Sequence, residues 1–591
     1  MSRPIEDYAL LGDGQTAALL SRDGSIDWLC WPRFDGDACF AALLGTPENG
    51  CWSLSPVGRI EGQTRRYQDD TLIMETDFEL GDGAVRITDF MPVGHVPSSV
   101  VRIVTGLRGT VQMRTSLRLR FNFGSVSPWI ERIDGAIEAC IGPDKVVLRA
   151  DLELDIGNGS AQAFFAVNAG ESATFVMSYG PAHKPPPPPI DAYAALRSTQ
   201  EFWRNWISRF DDSRTTWPGA VRRSLLTLKA LTHGRSGAIV AAPTTSLPEA
   251  PAGQLNWDYR YGWLRDTSFA MVALLNAGFD EEAGAWRNWL LRSIGAAPEH
   301  IRIMYRADGA RHLPEWTVDW LQGYRYATPV RIGNAAAQQH QVDVLGEIID
   351  GLDVGRRGGL TPASSEDVIE RRIVEHLENV WNTPGSGIWE SRSTPRHYTY
   401  SRVMAWVAFD RFVTSRSGDA SRSSLVERAI TLRETIRDEI CREGWNEGLG
   451  TFTQYYGGEE LDASLLLMPL VGFLPADDPR MASTIETIRR EMSEDGFIRR
   501  HKKSREGPSE GTFLACSCWM ADCLQMQGRT DEARQQFERV LAVANDLGLL
   551  SEQYNAQRRE LAGNFPQALT HLAVINTALG LCGPTIQRGG G

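Results

Sequence analysis

The sequence predicts a multidomain chain, an N-terminal antiparallel β-sandwich followed by an all-α domain of paired helices. Three observations predict it. Turn-forming Asp-Gly and Gly-Asp pairs punctuate roughly the first 180 residues, a run of prolines interrupts the chain at 185–189, and beyond it apolar residues recur at helical spacing. The 591 residues are too many for one ordinary core and suit two or three domains.

The strands come first. Gly12-Asp13-Gly14, Asp23-Gly24, Gly81-Asp82-Gly83 and Asp134-Gly135 separate short β-branched runs such as 100–104 and 146–149. That spacing of turns is the signature of antiparallel sheets, and residues 1–183 are assigned to the sandwich. Lys184 and five prolines follow, a sequence that fits neither a helix nor a central strand and makes a stiff extended spacer. A proline-rich recognition ligand is the alternative use of such a run. Residues 184–217 are this spacer plus a linker helix, in which Leu196, Phe202, Trp203, Trp206 and Ile207 keep helical spacing. Residues 218–591 form the all-α domain. Helices are expected at 268–276, 335–352, 365–380, 402–416, 425–442, 481–492, 530–547 and 564–579, joined by loops rich in Gly, Pro and Trp. Helix pairs in this number make a solenoid or a closed toroid, and the absence of a fixed sequence period weighs against the solenoid.

Composition narrows the function. A net charge of −13 argues against a nucleic-acid partner. No run of eighteen apolar residues is present, so no membrane span is expected, and the N-terminus lacks the apolar stretch of a signal peptide. The nine cysteines are an odd number, and the cluster Cys516, Cys518, Cys523 lies in an apolar segment with no second cluster at zinc spacing. Buried thiols in a reducing, cytoplasmic setting are expected, with no metal and no cofactor. Charge says nothing about symmetry, so self-association into a homo-oligomer stays open. The 18 tryptophans are a surplus that suits stacking against sugar rings, or else aromatic-rich helix packing.

Two glutamates stand beside aromatic residues, in Gly387-Ile388-Trp389-Glu390 and in Ser551-Glu552-Gln553-Tyr554. A pair of carboxyls on apolar walls is what glycosidic bond cleavage needs, one protonated to give a proton to the leaving oxygen, the other ionised. An aromatic neighbour raises a carboxyl's pKa by desolvation and gives a sugar ring a flat face. The densest polar-aromatic cluster is the block from Trp257-Asp258-Tyr259 through Trp263-Leu264-Arg265-Asp266, which opens a helix at Thr267. Arg265 and Asp266 side by side supply a donor fork and an acceptor for two adjacent hydroxyls, or a buried ion pair that pins the helix start. Two further loops, 323–334 with Arg331 and 509–513 with Glu510, also precede apolar helices.

These residues carry a resemblance. The segment 237–249, the Trp257–Asp266 block, Pro329 to Asn334, and Ser551-Glu552-Gln553-Tyr554 followed by Gly563-Asn564-Phe565-Pro566-Gln567-Ala568 resemble glycoside hydrolase family 15, which holds glucoamylases, glucodextranases and prokaryotic trehalases. The opening 21–32 resembles its prokaryotic members. The similarity covers nearly the whole chain. It implies a β-sandwich followed by an (α/α)6 toroid, and an inverting exo-hydrolase that releases β-glucose from the non-reducing end of short α-glucosides. A glucoamylase-like α-glucosidase is the main expectation and trehalase the alternative. It also implies roles: Glu390 as general acid, Glu552 as general base, Tyr259 near the reacting carbon, and Arg265 with Asp266 on the distal hydroxyls of the terminal glucose. Trp519 is expected as a wall of the next subsite, Arg331 as a sugar contact, and Trp263, Trp389 and Glu510 complete the substrate-binding set.

Departures from the family pattern fall at Ser391, where an acidic residue often follows the acid, at Thr328, and at Ser509 before Glu510. An inverting pair should stand about 6.5–9.5 Å apart to admit a water. A sugar phosphorylase is the rival enzyme class, with the basic run Arg499-Arg500-His501-Lys502-Lys503-Ser504-Arg505 as its phosphate site, or else a solvated loop. A non-catalytic sugar-binding protein is the third reading.

Overall fold

A computed structural model of the chain describes residues 3–589 apart from 95–96, 158, 252, 417–422 and 503–509. The N-terminal part is one fifteen-stranded antiparallel network. Its centre is the long strand Ser99–Arg118, whose first half pairs with Gly83–Phe90 and Ser172–Pro181 and whose second half pairs with Cys51–Pro56 and Ser160–Asn168. The first half is buried throughout at Ser99 to Val104, while later residues alternate between core and solvent. The strand therefore joins two sets of partners, one covered on both faces and one on a single face.

The sheet ends at Pro181. The proline run lies along it, held by Lys145 Nζ donating to Lys184 O at 3.0 Å and Arg149 donating to Pro187 O at 2.7 Å. Asp191 then caps helix Ala192–Ile207 through the amides of Tyr193 and Ala194.

Two kinds of helix alternate in the rest of the chain. Thr267–Asn276, Thr399–Thr414, Leu514–Met526 and Ala568–Gly580 are buried almost all round. Asp280–Ile294, Glu366–Val380, Ser424–Glu443, Pro479–Glu491 and Thr530–Leu541 bury one stripe and expose a charged face. The first kind forms the interior and the second covers it. Helix Asp343–Arg357 belongs inside too, yet it buries four carboxylates, Asp343, Glu347, Asp350 and Asp353. Cys516, Cys518 and Cys523 are buried on one of the interior helices and all nine cysteines are free thiols. Among the described residues no helix is long and apolar enough to cross a membrane.

Most expected helices shift by three residues or fewer, such as Thr399–Thr414 for 402–416, and three depart further, each for a local reason. The expected 335–352 helix is a short turn, Ala335–Gln338, and then Asp343–Arg357. Asn334 caps the turn through Ala336 N and the chain extends at Gln339. The expected 564–579 helix begins only at Ala568, because Asn564 instead bridges Thr244 Oγ1 and Trp257 O. The expected 530–547 helix stops at Leu541, and Asn545 Oδ1 accepts from Leu547 N and Leu549 N to turn the chain.

The sheet and the helices share one continuous core. Trp28 donates to Pro243 O at 2.8 Å, and buried Arg260, held by Asp258, donates to Gly36 O. These bonds anchor the segment 243–260, which carries part of the candidate site.

Candidate active site

A cavity of about 560 Å³ opens among the loops that precede the buried helices. Glu390, Glu552, Tyr259, Arg265, Trp389 and Glu510 line it together, although nearly 300 residues separate the first and last in sequence. Trp263 and Asp266 stand directly behind this wall. Trp519 is a layer deeper, stacked 6.1 Å from the Trp389 ring.

Glu552 enters on the short strand Gln553–Asn555, which pairs with Thr512–Phe513 and Glu560–Ala562. Tyr259 donates its hydroxyl to Glu552 Oε1 at 2.6 Å. The other carboxylate oxygen is buried without a hydrogen-bond partner. It lies against Gly563, where an added Cβ would sit 2.6 Å from Oε2 and 2.9 Å from the Glu552 Cβ. Gly563 also has φ +74°, a conformation that disfavours any side chain. Gly563→Ala should therefore lose about 1–3 kcal/mol of stability and at least about tenfold in kcat/KM, because the carboxylate must move. Thermal unfolding and steady-state kinetics check both, and a variant with native kinetics would show that Glu552 tolerates displacement.

Glu390 sits on a strained turn, with φ +58°. Its amide donates to Gly387 O at 3.0 Å, and Gln339 Nε2 donates to both Glu390 O and Ser391 O at 3.0 and 3.3 Å. The extended chain at Gln339, which breaks the expected helix, is what brings that amide to the turn. Trp263 Nε1 donates to Glu390 Oε1 at 2.6 Å and Arg265 reaches the same oxygen at 3.4 Å. Arg265 Nε also donates to Asp266 Oδ1 at 2.8 Å. The two readings of the Arg-Asp pair thus coexist: the pair is formed, and Arg265 still faces the cavity. Trp389 is fixed by its Nε1 donating to Asp462 Oδ1 at 2.8 Å.

Beside the Trp389 ring, 5.6 Å from its centre, one guanidinium serves several carboxyls. Arg500 pairs with Glu249 and with Glu510 Oε2, the latter at 2.7 Å, and Gln553 Nε2 donates to Glu249 Oε2 at 2.9 Å. Burial raises the Glu249 carboxyl well above the usual range despite Arg500. Burial also acts on Glu510, but Arg500 overrides it and holds that carboxyl below its ordinary value. Glu552, desolvated and only partly compensated by Arg500 and the Tyr259 hydroxyl, is pushed up to about 7. Burial raises Glu390 as well, opposed by Arg265 and the Trp263 N–H. The sequence reading asked for one protonated and one ionised carboxyl; burial raises both.

Arg331 does not line the cavity. Its guanidinium lies 4.4 Å from the centre of the Trp257 ring and donates to Gln254 O and Asn256 O, so it supports Trp257, which does line the site. Thr328 is exposed and outside the cavity, whereas Ser391 lines it and shares a hydrogen bond with Ser393. Ser509, Lys503, Ser504 and Arg505 lie outside the described residues. The rest of the basic run is engaged: Arg499 pairs with Glu494, Arg500 as above, and Lys502 with Glu491.

Sequence reasoning missed Glu249, Arg500, Trp257 and Gln339 as parts of the site. Glu249 closes the 237–249 motif, directly after Pro248, and that was the available signal. Arg500 was visible only as one member of a charge run.

Residues 218–579 match the family model described as Glycosyl hydrolases family 15, and residues 1–179 match one described as Trehalase-like, N-terminal. A trehalase of Mycobacterium tuberculosis is 35% identical, aligned over 98% of this chain and 89% of that protein. A trehalase of Thermoplasma volcanium is 32% identical over 97% and 93%. Among solved structures, a bacterial glucoamylase complexed with acarbose superposes with a TM-score of 0.71 at 12% identity, over 98% of this chain and 96% of the other.

Proposed function

Because the chain belongs to glycosyl hydrolase family 15 and is a glycoside hydrolase, we propose that it hydrolyses α,α-trehalose to glucose. The observation that carries the reading is the end-to-end similarity to relatives named trehalase. It displaces the glucoamylase-like action that the sequence put first, since the glucoamylase likeness, at 12% identity, is one of fold.

In this reading Glu390 is the general acid and Glu552 the general base. Glu390 protonates the glycosidic oxygen while Glu552 takes a proton from the water that attacks the opposite face of the ring. A base works best when its pKa is near the working pH, so a Glu552 carboxyl near 7 fits that task better than one in the ordinary range. Tyr259 orients the base through its hydrogen bond. Arg265 grips a hydroxyl of the terminal glucose, Asp266 behind it holds the guanidinium in place, and Trp389 and Trp257 supply apolar walls. The cavity volume falls within the usual span of small-molecule sites, large enough for a disaccharide.

The supporting frame is an (α/α)6 toroid spanning residues 218–591, with 1–183 as sandwich and 184–217 as linker. Buried helices pack in succession, Thr267–Asn276 on Asp343–Arg357, that on Thr399–Thr414, and so through Leu467–Leu470, Leu514–Met526 and Ala568–Gly580 back to Thr267–Asn276. The paired state of Arg499, Arg500 and Lys502 argues against a phosphate pocket and hence against the phosphorylase reading.

The test is an assay of the purified protein on trehalose, maltose and isomaltose, with the product followed by proton NMR. Trehalose should be cleaved fastest, without dependence on phosphate as co-substrate, and the first product should contain equal α- and β-glucose. Inversion at one ring gives β-glucose and the other ring leaves as α-glucose. Early glucose that is all α would sink inversion, and turnover confined to maltose would restore the glucoamylase-like reading.

A further inference from the structure

Beyond the last helix, the segment 585–589 packs against the interior helices and buries Arg588. The last helix ends at Gly580, at the far end of the interior helices from the cavity. Residues 585–589 then turn back inward. Ile586 exchanges two hydrogen bonds with the Asn276 side chain, at 2.8 and 2.9 Å, and Gly589 N donates to Leu470 O at 2.8 Å. Arg357 donates to Gln587 O and Arg411 to Arg588 O, at 2.8 and 2.7 Å. So anchored, the tail places the Arg588 side chain among the interior helices, where the residue is only 4% exposed.

Arg588 meets two of the four buried carboxylates of helix Asp343–Arg357. Its Nη2 donates to Glu347 Oε2 at 2.5 Å and its Nε to Asp350 Oδ2 at 2.8 Å. Glu347 in turn accepts from Ser268 Oγ at 2.5 Å and from the Tyr400 hydroxyl at 2.8 Å. Ser268 lies in the first turn of helix Thr267–Asn276, two residues after Asp266. One polar path therefore runs from the tail to the turn that carries the Arg-Asp pair.

A second path is made of rings. The Arg588 guanidinium lies 4.5 Å from the centre of the Phe269 ring. Phe269 stacks on Trp519 at 5.8 Å, and Trp519 on Trp389 at 6.1 Å. Trp389 is a wall of the substrate cavity and adjoins Glu390. Between the tail and this column lies a second, smaller cavity of about 90 Å³, with Phe269, Trp519, Ile586 and Arg588 among its walls. The floor of the site thus rests on a space that the tail closes from below, and loss of Arg588 removes the contact under Phe269, the ring on which Trp519 stacks.

We propose that the segment 585–589 is a positioning element of the substrate site, in which Arg588 holds the Arg265–Asp266 turn through Glu347 and Ser268 and braces the Phe269–Trp519–Trp389 column. Arg588 touches no substrate; it acts through these neighbours. Without its guanidinium, Asp350 keeps Arg411 while Glu347 is left with the hydroxyls of Ser268 and Tyr400, and an undercompensated buried carboxylate relaxes toward solvent or takes up a proton. Either change moves Ser268 and Phe269, and with them the sugar-gripping end of the helix. The inference rests on the reading of Arg265, held by Asp266, as a glucose contact.

The test uses the full-length chain and the variants Arg588→Met, Arg588→Lys and Ser268→Ala. Folding is followed by circular dichroism, and glucose affinity by calorimetry, which needs no turnover. Arg588→Met should fold, weaken glucose binding about tenfold, and raise KM for trehalose more than it lowers kcat. Arg588→Lys should recover much of that loss. Ser268→Ala, which cuts only the link between Glu347 and the helix, should weaken glucose binding in the same direction. A folded Arg588→Met variant with glucose affinity within about twofold of the unmodified enzyme overturns the proposal, because a purely structural role lowers only the melting temperature. If that variant does not fold, unchanged glucose affinity in Ser268→Ala overturns it instead. An unmodified enzyme that binds glucose but leaves trehalose intact refutes the trehalase reading while the comparison of variants still stands.

Discussion

Glu552→Gln is expected to lower kcat on trehalose about 10²–10⁴-fold and, at the same time, to make the protein more stable at pH 8. Both effects come from one feature, the burial that pushes this carboxyl from 4.5 up to about 7. The folded protein holds the proton more tightly than the unfolded chain does. The stabilisation from that proton is therefore fully present below pH 4.5, shrinks as pH rises to 7, and is gone above it, where the buried carboxylate costs on the order of 3 kcal/mol relative to its neutral form. Glutamine has no proton to lose, so the variant's advantage in melting temperature should grow between pH 4.5 and 7 and persist at pH 8. As the proposed base, the same carboxyl should set the acid limb of catalysis. In the unmodified enzyme kcat/KM should fall about tenfold per unit as pH drops below about 7, since the base must be ionised. Melting curves and a pH–rate profile of the two proteins measure all of this. A variant with near-native kcat would remove Glu552 from the role of base.

Glu390→Gln should cause a comparable loss of about 10²–10⁴-fold on trehalose but a much smaller loss on α-glucosyl fluoride. Fluoride leaves without protonation, so that substrate bypasses the general acid and still needs the base. Glu552→Gln should lose both substrates. The contrast separates the two carboxyls by chemistry rather than by the size of the defect. Equal losses of Glu390→Gln on both substrates would show that Glu390 is not the proton donor. The turn that carries Glu390 gives a reason for care in choosing the variant. The backbone there is already strained and is held by Gln339, so an isosteric amide tests the proton without disturbing the turn.

Much of the site was legible in the chain because its residues travel in short local motifs. Trp389-Glu390, Ser551-Glu552-Gln553 and the Tyr259–Asp266 block each place a polar group beside aromatic residues within a few positions, and such adjacency survives in one dimension. The order of strands, prolines and helices was legible for a similar reason, since turn residues and helical periodicity are local properties of sequence. The helix breaks at Gln339 and Asn564 were not. There the backbone gives up helical hydrogen bonds for partners remote in sequence, Glu390 and Ser391 in one case, Thr244 and Trp257 in the other.

The sequence by itself determined that two carboxyls, an Arg-Asp pair and a set of tryptophans belong to one chain of sheet followed by helices. Only the tertiary structure decided their company. Glu249 and Arg500 join the cavity from opposite ends of the helical domain, Arg331 is turned behind Trp257, and Arg588 comes up from the last residues of the chain to stand under the site. The physical reason is that charge compensation in a buried space depends on distance between atoms, not on separation along the chain. Burial, only partly offset by Arg500 and Tyr259, sets the Glu552 carboxyl at about 7, whereas the same Arg500 outweighs burial at Glu510 and holds it below its ordinary value.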